Sequence, residues 1–280
     1  MKWKSYLQLM RFHKPVGILL LWFPTAWALW IANQGKPPLL LVLLFFVGTI
    51  LMRAAGCVVN DIADRHIDLH VKRTKERPLT TGEVSLIEAL FLLFSLLLGA
   101  LTVLIQLPET CFLYALIAVL ITIIYPFCKR FIQSPQLVLG VAFSMGIPMA
   151  FVASDALLNN TMFILLAINF MWIVAYDTQY AMVDREDDLR IGVKSTAILF
   201  ASYDRMIIGF LQLTFHLLWL PLMLKLNSLT FTVCWVMAAL ILFYQQRLLV
   251  KRDPESCLKA FSSNSLYGLL MWLPLLGGYH

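Results

Sequence analysis

Carboxylate side chains gather directly after the second long apolar stretch of the sequence, in the run Asn60-Asp61-Ile-Ala-Asp64-Arg65-His66-Ile-Asp68. If a helix continues through this run, Asn60, Asp64 and Asp68 lie on one face of three successive turns. Arg53 lies seven residues before Asn60, on the same face and about two turns deeper. The spacing predicts a stack of oxygen ligands at the end of a helix.

A second acidic run follows the sixth apolar stretch, where spacings of seven and four place Asp177, Asp184 and Asp188 within a narrow arc of one helix. Like charges at this spacing repel, and the repulsion is larger at a membrane boundary than in water. Two such stacks require a cation. Oxygen ligands without Cys or His partners favour Mg²⁺, which is commonly shared between carboxylates and a phosphorylated ligand.

Basic residues near the first acidic run can hold phosphate oxygens that a metal does not bind. These residues are Arg53, Lys72, Arg73, Lys75 and Arg77. The alternative for either run alone is a solvated loop of mixed charge. That alternative explains the pair less well, because both runs end helices and stack their acids on one side.

The rest of the chain is unusually apolar. Of its 280 residues, 60% are apolar and 14% are charged, against roughly 45–50% and about 25% in a typical soluble domain. Apolar runs of about 20 residues, the length that spans a bilayer, recur throughout. A single transmembrane domain over residues 1–280 is therefore predicted. Nucleic acid is not an expected partner, because the basic residues lie in short loops rather than on a soluble surface.

The apolar runs predict an all-α integral membrane protein, since backbone groups in lipid must be paired internally. Nine transmembrane helices are expected. Their predicted ranges are 15–33, 39–60, 86–106, 110–128, 136–153, 161–182, 205–225, 229–247 and 264–279.

Lysine and arginine are distributed unevenly between the two sides of this predicted bundle. If the N-terminus is cytoplasmic, every one of the 22 basic residues except Lys36 and Lys225 lies in or beside a cytoplasmic segment. The positive-inside rule then places the N-terminus and both acidic runs in the cytoplasm and the C-terminus on the opposite, periplasmic side. Of the 16 acidic residues, only Glu109 and Asp155 fall outside.

The first acidic run and the basic loop after it resemble the signature of the UbiA-type membrane prenyltransferases. The matching residues are Asn60, Asp64, Ile67, Asp68, Val71, Arg73, Thr74, Arg77 and Gly82. Other segments resemble the branch of that family that prenylates 4-hydroxybenzoate. They are Arg11-Phe-His-Lys-Pro15-Val-Gly17, Tyr125-Pro126-x-x-Lys129-Arg130, Gly146-Ile-Pro148-Met-Ala, Tyr176 to Asp184, and Gly192 to Thr196.

This resemblance implies nine helices around a central cavity that is capped by cytoplasmic Asp-rich loops. It implies that Mg²⁺ and a polyprenyl diphosphate bind at Asn60, Asp64, Asp68, Asp184 and Asp188. The implied reaction transfers the prenyl group to the ring carbon ortho to the hydroxyl of 4-hydroxybenzoate. Because no transit peptide precedes the first span, a bacterial inner membrane is the expected location.

Further roles follow from the resemblance. Asp64 and Asp184 are expected to be catalytic, and either Asp177 or Asp184 is expected to accept the phenol proton. The basic residues expected at the diphosphate are Lys72, Arg73, Arg77, Lys129, Arg130 and Lys194, while Arg53 or another buried base is a candidate for the aromatic carboxylate. Tyr125, Tyr176 and Tyr180 are candidates to stabilise an allylic cation through their rings, or else are tyrosines of the membrane interface.

Two other functions stay open at this point. A related prenyltransferase would use another acceptor, such as a naphthoate, a porphyrin or a glyceryl phosphate lipid. A transporter of a cation or an organic phosphate is the alternative from a different class. Transporters usually place their site near the bilayer midplane on broken helices, whereas these carboxylates end helices.

Overall fold

The structure is a computed structural model that describes residues 2–277. Within this range the chain forms thirteen α-helices and three short 3₁₀ turns, without a β-strand. The α-helices are α1 Lys2–Leu9, α2 Val16–Ala32, α3 Leu39–Asp64, α4 Leu86–Leu104, α5 Thr110–Phe131, α6 Pro135–Ser144, α7 Gly146–Ala153, α8 Asn160–Ile191, α9 Thr196–Phe200, α10 Asp204–Leu217, α11 Leu220–Leu226, α12 Leu229–Leu248 and α13 Pro254–Trp272. The prediction of an all-helical chain is confirmed.

Seven segments of residues 2–277 are long and apolar enough to cross a membrane. Two of them contain a break: the segment Pro135–Ala153 is α6 followed by α7, and Thr196–Leu226 includes α9, α10 and α11. The helix for the first predicted span, α2, is apolar but only 17 residues long. Each predicted span thus has a helical counterpart, and a multi-pass membrane protein follows from their length and composition.

The ninth predicted span differs most from the structure. It was expected to cover 264–279, but α13 begins ten residues earlier, at Pro254, and ends at Trp272. Asp253 fixes this earlier start, because its side chain accepts a hydrogen bond from the backbone N–H of Ser256 at 2.9 Å and so caps the helix. A 3₁₀ turn over Leu273–Gly277 follows, and the last predicted positions, 278 and 279, lie outside the described residues.

Helix α8 organises the bundle. It contacts α2, α6, α7, α9, α10 and α13. Its 32 residues correspond to a length of roughly 48 Å at 1.5 Å per residue, which exceeds a hydrocarbon core of about 30 Å. This length is enough for the last turns of α8, which carry the second acidic run, to extend beyond the apolar layer. Gly192 ends the helix in the left-handed conformation with φ of 75°.

Close contacts hold the broken helices against their neighbours. An added Cβ on Gly146, the first residue of α7, would lie 2.3 Å from the Thr25 Oγ1 atom of α2. The absence of a side chain there lets α2 and α7 pack closely. A buried amide network joins three helices, α8, α12 and α13: Asn264 donates to Gln179 at 2.9 Å and accepts from Trp172 at 2.9 Å, while Gln179 donates to Gln245 at 3.0 Å.

Candidate active site

Both acidic runs line one cavity, which has a volume of about 570 Å³. Residues of α2, α3, α5, α6, α8 and α13 line it, together with residues of the segments before α2, between α3 and α4, and between α8 and α9. The acidic and amide residues in its lining are Asn60, Asp61, Asp64, Asp68, Gln136, Asp177, Asp184 and Asp188. The structure therefore brings the two predicted carboxylate clusters together at one place.

The first cluster does not lie on one continuous helix. Helix α3 ends at Asp64, and Asp68 begins a separate 3₁₀ turn over Asp68–His70. The expectation that the helix continues through Asp68 was wrong. The turn brings the carboxylate of Asp68 back over the site, where it still lines the cavity.

Lys129, at the end of α5, binds the first two members of this cluster. Its Nζ atom lies 3.1 Å from Asn60 Oδ1 and 3.0 Å from Asp64 Oδ2. The other oxygen of Asp64, Oδ1, is buried and has no hydrogen-bond partner among the described residues. A buried carboxylate oxygen without a partner is costly, so this atom calls for a cation or a donor that a ligand supplies.

Arg77 joins Asp68 to Asp61. Its Nη1 atom lies 2.6 Å from Asp68 Oδ2 and 3.0 Å from Asp61 Oδ1. Burial raises the pKa of Asp68 even though the Arg77 charge opposes this, and the nearby charges of Asp61 and Asp64 raise it further. Burial therefore disfavours the charged form of Asp68, and the Arg77 contact offsets part of this effect.

Arg73 links the loop after the first cluster to the second cluster. Its Nη2 atom lies 2.5 Å from Asp184 Oδ2 and its Nε atom lies 2.9 Å from Asp184 Oδ1. The guanidinium also lies over the Tyr180 ring, 4.7 Å from its centroid. Although desolvation opposes this, the charge of Tyr180, the hydrogen bonds that Arg73 donates to Asp184 and the charge of Asp184 raise the pKa of Arg73. Loop and helix are thereby held together across the cavity mouth.

No three acidic, histidine or cysteine side chains among residues 2–277 lie close enough to form a ready-made metal site. Arg73, Arg77 and Lys129 instead bind the oxygens that a metal would use. The donor set nevertheless fits Mg²⁺, because it consists of oxygens alone and includes the unpartnered Oδ1 atom of Asp64.

Arg53 lies deeper, between this cavity and a second one, and lines both. Its Nε atom is buried, and no residue of the described range forms a hydrogen bond or ion pair with its guanidinium. Gly17 of α2 faces it so closely that an added Cβ would lie 2.5 Å from Nε and from Nη2. Asp177 is the carboxylate whose charge acts on Arg53, but it forms no ion pair with it. The unpartnered Nε atom therefore indicates a site for an anion.

The second cavity is apolar and has a volume of about 590 Å³. Residues of α2, α3, α4, α5, α6 and α7 line it. It shares five lining residues with the first cavity: Arg53, Gly56, Thr122, Ala142 and Phe143. A polar chamber therefore adjoins an apolar chamber, with Arg53 at their boundary.

The three predicted tyrosines line the first cavity. The hydroxyl group of Tyr176 is buried and has no partner among the described residues. The Tyr125 ring lies 5.4 Å from Lys129 Nζ, and the Tyr180 ring lies 4.7 Å from the ring of Phe261. These positions favour cavity rings over tyrosines of the membrane interface.

Three basic residues expected at the diphosphate have other surroundings. Lys72 and Arg130 are not among the residues that line the cavity; Arg130 donates to the Ala63 carbonyl at 3.0 Å instead. Lys194 lines the cavity, but its Nζ atom donates to the Phe131 carbonyl at 3.0 Å at the end of α5. Its backbone N–H also donates to the Lys129 carbonyl at 3.0 Å, so this segment is fastened to α5.

The sequence reasoning missed Asp61, Arg11 and Lys14 as members of the site. Arg11 binds Asp61 through two hydrogen bonds of 2.8 and 2.9 Å. Lys14 lines the cavity, and partial desolvation together with the charges of Arg73, Arg11 and Arg77 lowers its pKa. The available signals were the position of Asp61 beside Asn60 and the basic residues ahead of the first span.

Comparison with known sequences gives one family match. The model of the UbiA prenyltransferase family matches residues 21–273. A protein of Legionella pneumophila (strain Paris) named 4-hydroxybenzoate octaprenyltransferase is 59% identical over 271 residues, which cover 96% of each chain. A protein of the same name from Coxiella burnetii (strain Dugway 5J108-111) is 48% identical over 98% of this chain and 96% of its own length.

Solved structures show the same fold. A UbiA homologue from Aeropyrum pernix K1 superimposes with a TM-score of 0.79 at 22% identity, over 92% of this chain and 98% of the other. A UbiA homologue from Archaeoglobus fulgidus bound to GPP and Mg²⁺ gives a TM-score of 0.75 at 20% identity, over 98% and 99% of the two chains. At this identity the likeness concerns the fold alone.

Proposed function

Because the chain belongs to the UbiA prenyltransferase family, we propose that it is an Mg²⁺-dependent enzyme that prenylates 4-hydroxybenzoate. It transfers a polyprenyl group from polyprenyl diphosphate to the ring carbon ortho to the acceptor's hydroxyl and releases diphosphate. The reaction belongs to ubiquinone biosynthesis. The observation that carries this proposal is that the two carboxylate clusters line one cavity, which adjoins an apolar chamber. Arg73, in the loop after the first cluster, binds Asp184 of the second cluster across 111 residues of sequence.

The relatives favour this acceptor over the other acceptors of the family. Proteins 59% and 48% identical over nearly the whole chain carry the name 4-hydroxybenzoate octaprenyltransferase. The match extends over both acidic runs, so the whole chain, residues 1–280, acts as a single transmembrane prenyltransferase domain.

The metal site uses the oxygens of Asn60, Asp64 and Asp68 on one side and those of Asp184 and Asp188 on the other. Bound there, Mg²⁺ supplies positive charge that stabilises the leaving diphosphate. Arg73, Arg77 and Lys129 already lie at these oxygens and are placed to bind the phosphate oxygens that remain. Lys14 adds positive charge at the mouth of the cavity.

The acceptor lies deeper, with its carboxylate at Arg53. That guanidinium has no hydrogen bond or ion pair among the described residues, and an aromatic carboxylate matches its two parallel donors. The rings of Tyr125, Tyr176 and Tyr180 face the same cavity, where they stabilise the allylic cation. Asp177, also in the lining, is placed to accept the phenol proton as the new bond forms.

The polyprenyl tail extends into the second, apolar cavity. The two cavities share Arg53, Gly56 and Thr122 in their walls, so a chain with its diphosphate in the first chamber can pass directly into the second. Apolar walls also keep bulk water from the cation, which would otherwise be hydrolysed.

We place the protein in the bacterial inner membrane with nine transmembrane helices. The bias of basic residues supports a cytoplasmic N-terminus, a cytoplasmic active site with the Asp-rich loops as its cap, and a periplasmic C-terminus.

The test is product formation by the purified chain. With Mg²⁺, octaprenyl diphosphate and 4-hydroxybenzoate, mass spectrometry should detect the 3-octaprenyl acid and an equal amount of diphosphate. Asp184→Asn, which keeps the shape of the side chain, is the matched inactive control. Uptake of an organic phosphate into vesicles without any prenylated product would instead support a transporter.

A further inference from the structure

Asp61 lies in the first acidic run, but arginines bind both oxygens of its carboxylate. Arg11 donates to both of its oxygens, at 2.8 and 2.9 Å, and Arg77 donates to Oδ1 at 3.0 Å. Its side chain is only 2% exposed. A carboxylate bound on both oxygens by two guanidinium groups has little capacity left for a metal ion, although it lies next to Asn60 in the sequence.

These contacts form a chain of four alternating charges. Arg11, Asp61, Arg77 and Asp68 follow one another, and the last contact, from Arg77 Nη1 to Asp68 Oδ2, is 2.6 Å long. Asp61 therefore shares Arg77 with a residue of the metal site. The same series of ion pairs links the segment before α2, which carries Arg11 and Lys14, to the end of α3.

The second half of the bundle contains a comparable arrangement that lies outside the cavity. Asp204, at the start of α10, is fully buried and binds both Arg185 and Arg252, the latter through Nη2 at 2.9 Å. None of these three residues lines the cavity. The two arrangements share their chemistry, but only the one at Asp61 includes an arginine that also binds a carboxylate of the site.

We propose that Asp61 is a positioning residue: because it also binds the Arg77 guanidinium, it keeps the Asp68 carboxylate available for Mg²⁺. This inference rests on the proposed function and deepens it. With Asp61 present, one guanidinium nitrogen is shared between two carboxylates. Without its charge, Arg77 has Asp68 as its one carboxylate partner and competes with the metal for those oxygens. Asp61 also holds Arg11, and through it the segment that places Lys14 at the cavity mouth.

The experiment measures metal binding without turnover. The melting temperature of the purified full-length chain is recorded against Mg²⁺ concentration in the presence of inorganic diphosphate, because a ligand that binds the folded state raises it. In Asp61→Asn the midpoint of this Mg²⁺ response should rise roughly ten- to a hundredfold, the usual effect of losing a residue that orients a metal ligand. Asp61→Glu, which restores the charge, should return it to within about threefold of wild type.

Two further variants separate positioning from general stability. Asp204→Asn removes the same kind of buried charge and should lower the melting temperature without moving the Mg²⁺ midpoint. Arg11→Gln leaves Arg77 shared between its two carboxylates, so the midpoint should stay near wild type while chymotrypsin cleaves faster after Phe12, in the segment that Arg11 no longer holds.

An unchanged midpoint in Asp61→Asn overturns the inference, and so does an equal shift in Asp204→Asn. If Asp61→Asn cannot be purified folded, Arg11→Gln decides: a tenfold shift there contradicts the role given to Arg77. A wild-type chain that shows no Mg²⁺ response contradicts the proposed metal site itself, whereas a normal wild-type response with an unshifted Asp61→Asn contradicts only the role of Asp61.

Discussion

Replacing Gly17 with alanine is expected to move the Arg53 guanidinium without unfolding the protein. The new Cβ would lie 2.5 Å from both Nε and Nη2 and 2.9 Å from Cζ of Arg53. Ordinary contacts between such atoms are about 3.5–4.0 Å, so the guanidinium must withdraw by about 1 Å. It is the end of a flexible side chain and can do so cheaply, and alanine is the better helix former by about 1 kcal/mol.

The displaced guanidinium should weaken the use of the acceptor, 4-hydroxybenzoate. If the carboxylate of 4-hydroxybenzoate binds Arg53, loss of this charge-assisted hydrogen bonding removes about 1.5–3 kcal/mol. That corresponds to a decrease of about 10- to 150-fold in kcat/KM for the acceptor. The KM for the prenyl diphosphate should stay close to its wild-type value, because Arg73, Arg77 and Lys129 are untouched.

The assay compares 4-hydroxybenzoate with its neutral carboxamide. Wild type should strongly prefer the acid, and Gly17→Ala should lose most of that preference while its melting temperature stays unchanged. Gly99→Ala on α4 is the control, because its Cβ would meet only Leu51 at 3.5 Å, an ordinary contact outside both cavities. Equal losses for the acid and the amide, or an unaltered preference, would refute the role assigned to Arg53.

Four other outcomes are expected. Asp64→Ala should abolish prenyl transfer while the protein still reaches the membrane fraction; measurable turnover would contradict its place in the metal site. Chelation of divalent cations should stop the reaction and added Mg²⁺ should restore it, so turnover that persists in excess chelator would argue against a metal-dependent step. Ala115→Phe, in the wall of the apolar cavity, should lower kcat/KM for octaprenyl diphosphate more than for dimethylallyl diphosphate, and equal effects would place the tail elsewhere. Asn264→Ala leaves the buried Trp172 N–H and Gln179 carbonyl without partners and should lower the melting temperature by roughly 3–10 °C; a smaller change would mean that water replaces the amide.

The membrane-spanning segments and the faces of individual helices were predictable, because each depends on residues that are close together in the sequence. Hydrophobic length decides whether a segment spans a membrane, and the periodicity of one helix decides which of its residues share a face. Asp177, Asp184 and Asp188 accordingly line the cavity from α8 as expected. Helix ends were less certain, because caps such as Asp253 and breaks such as the one between α6 and α7 depend on individual side chains.

Long-range pairing of charges was decided only by the tertiary structure. Arg11 meets Asp61 across 50 residues of sequence, and Arg73 meets Asp184 across 111. The spacing of the first acidic run places Asp61 off the helix face shared by Asn60 and Asp64, but it does not show that two arginines hold Asp61 while Asp64 keeps one buried oxygen unpartnered. The sequence therefore indicated which residues are candidates to carry the chemistry and which long helices hold most of them. Packing alone determined which carboxylates remain available for a ligand, since that depends on which cations the fold places beside each of them.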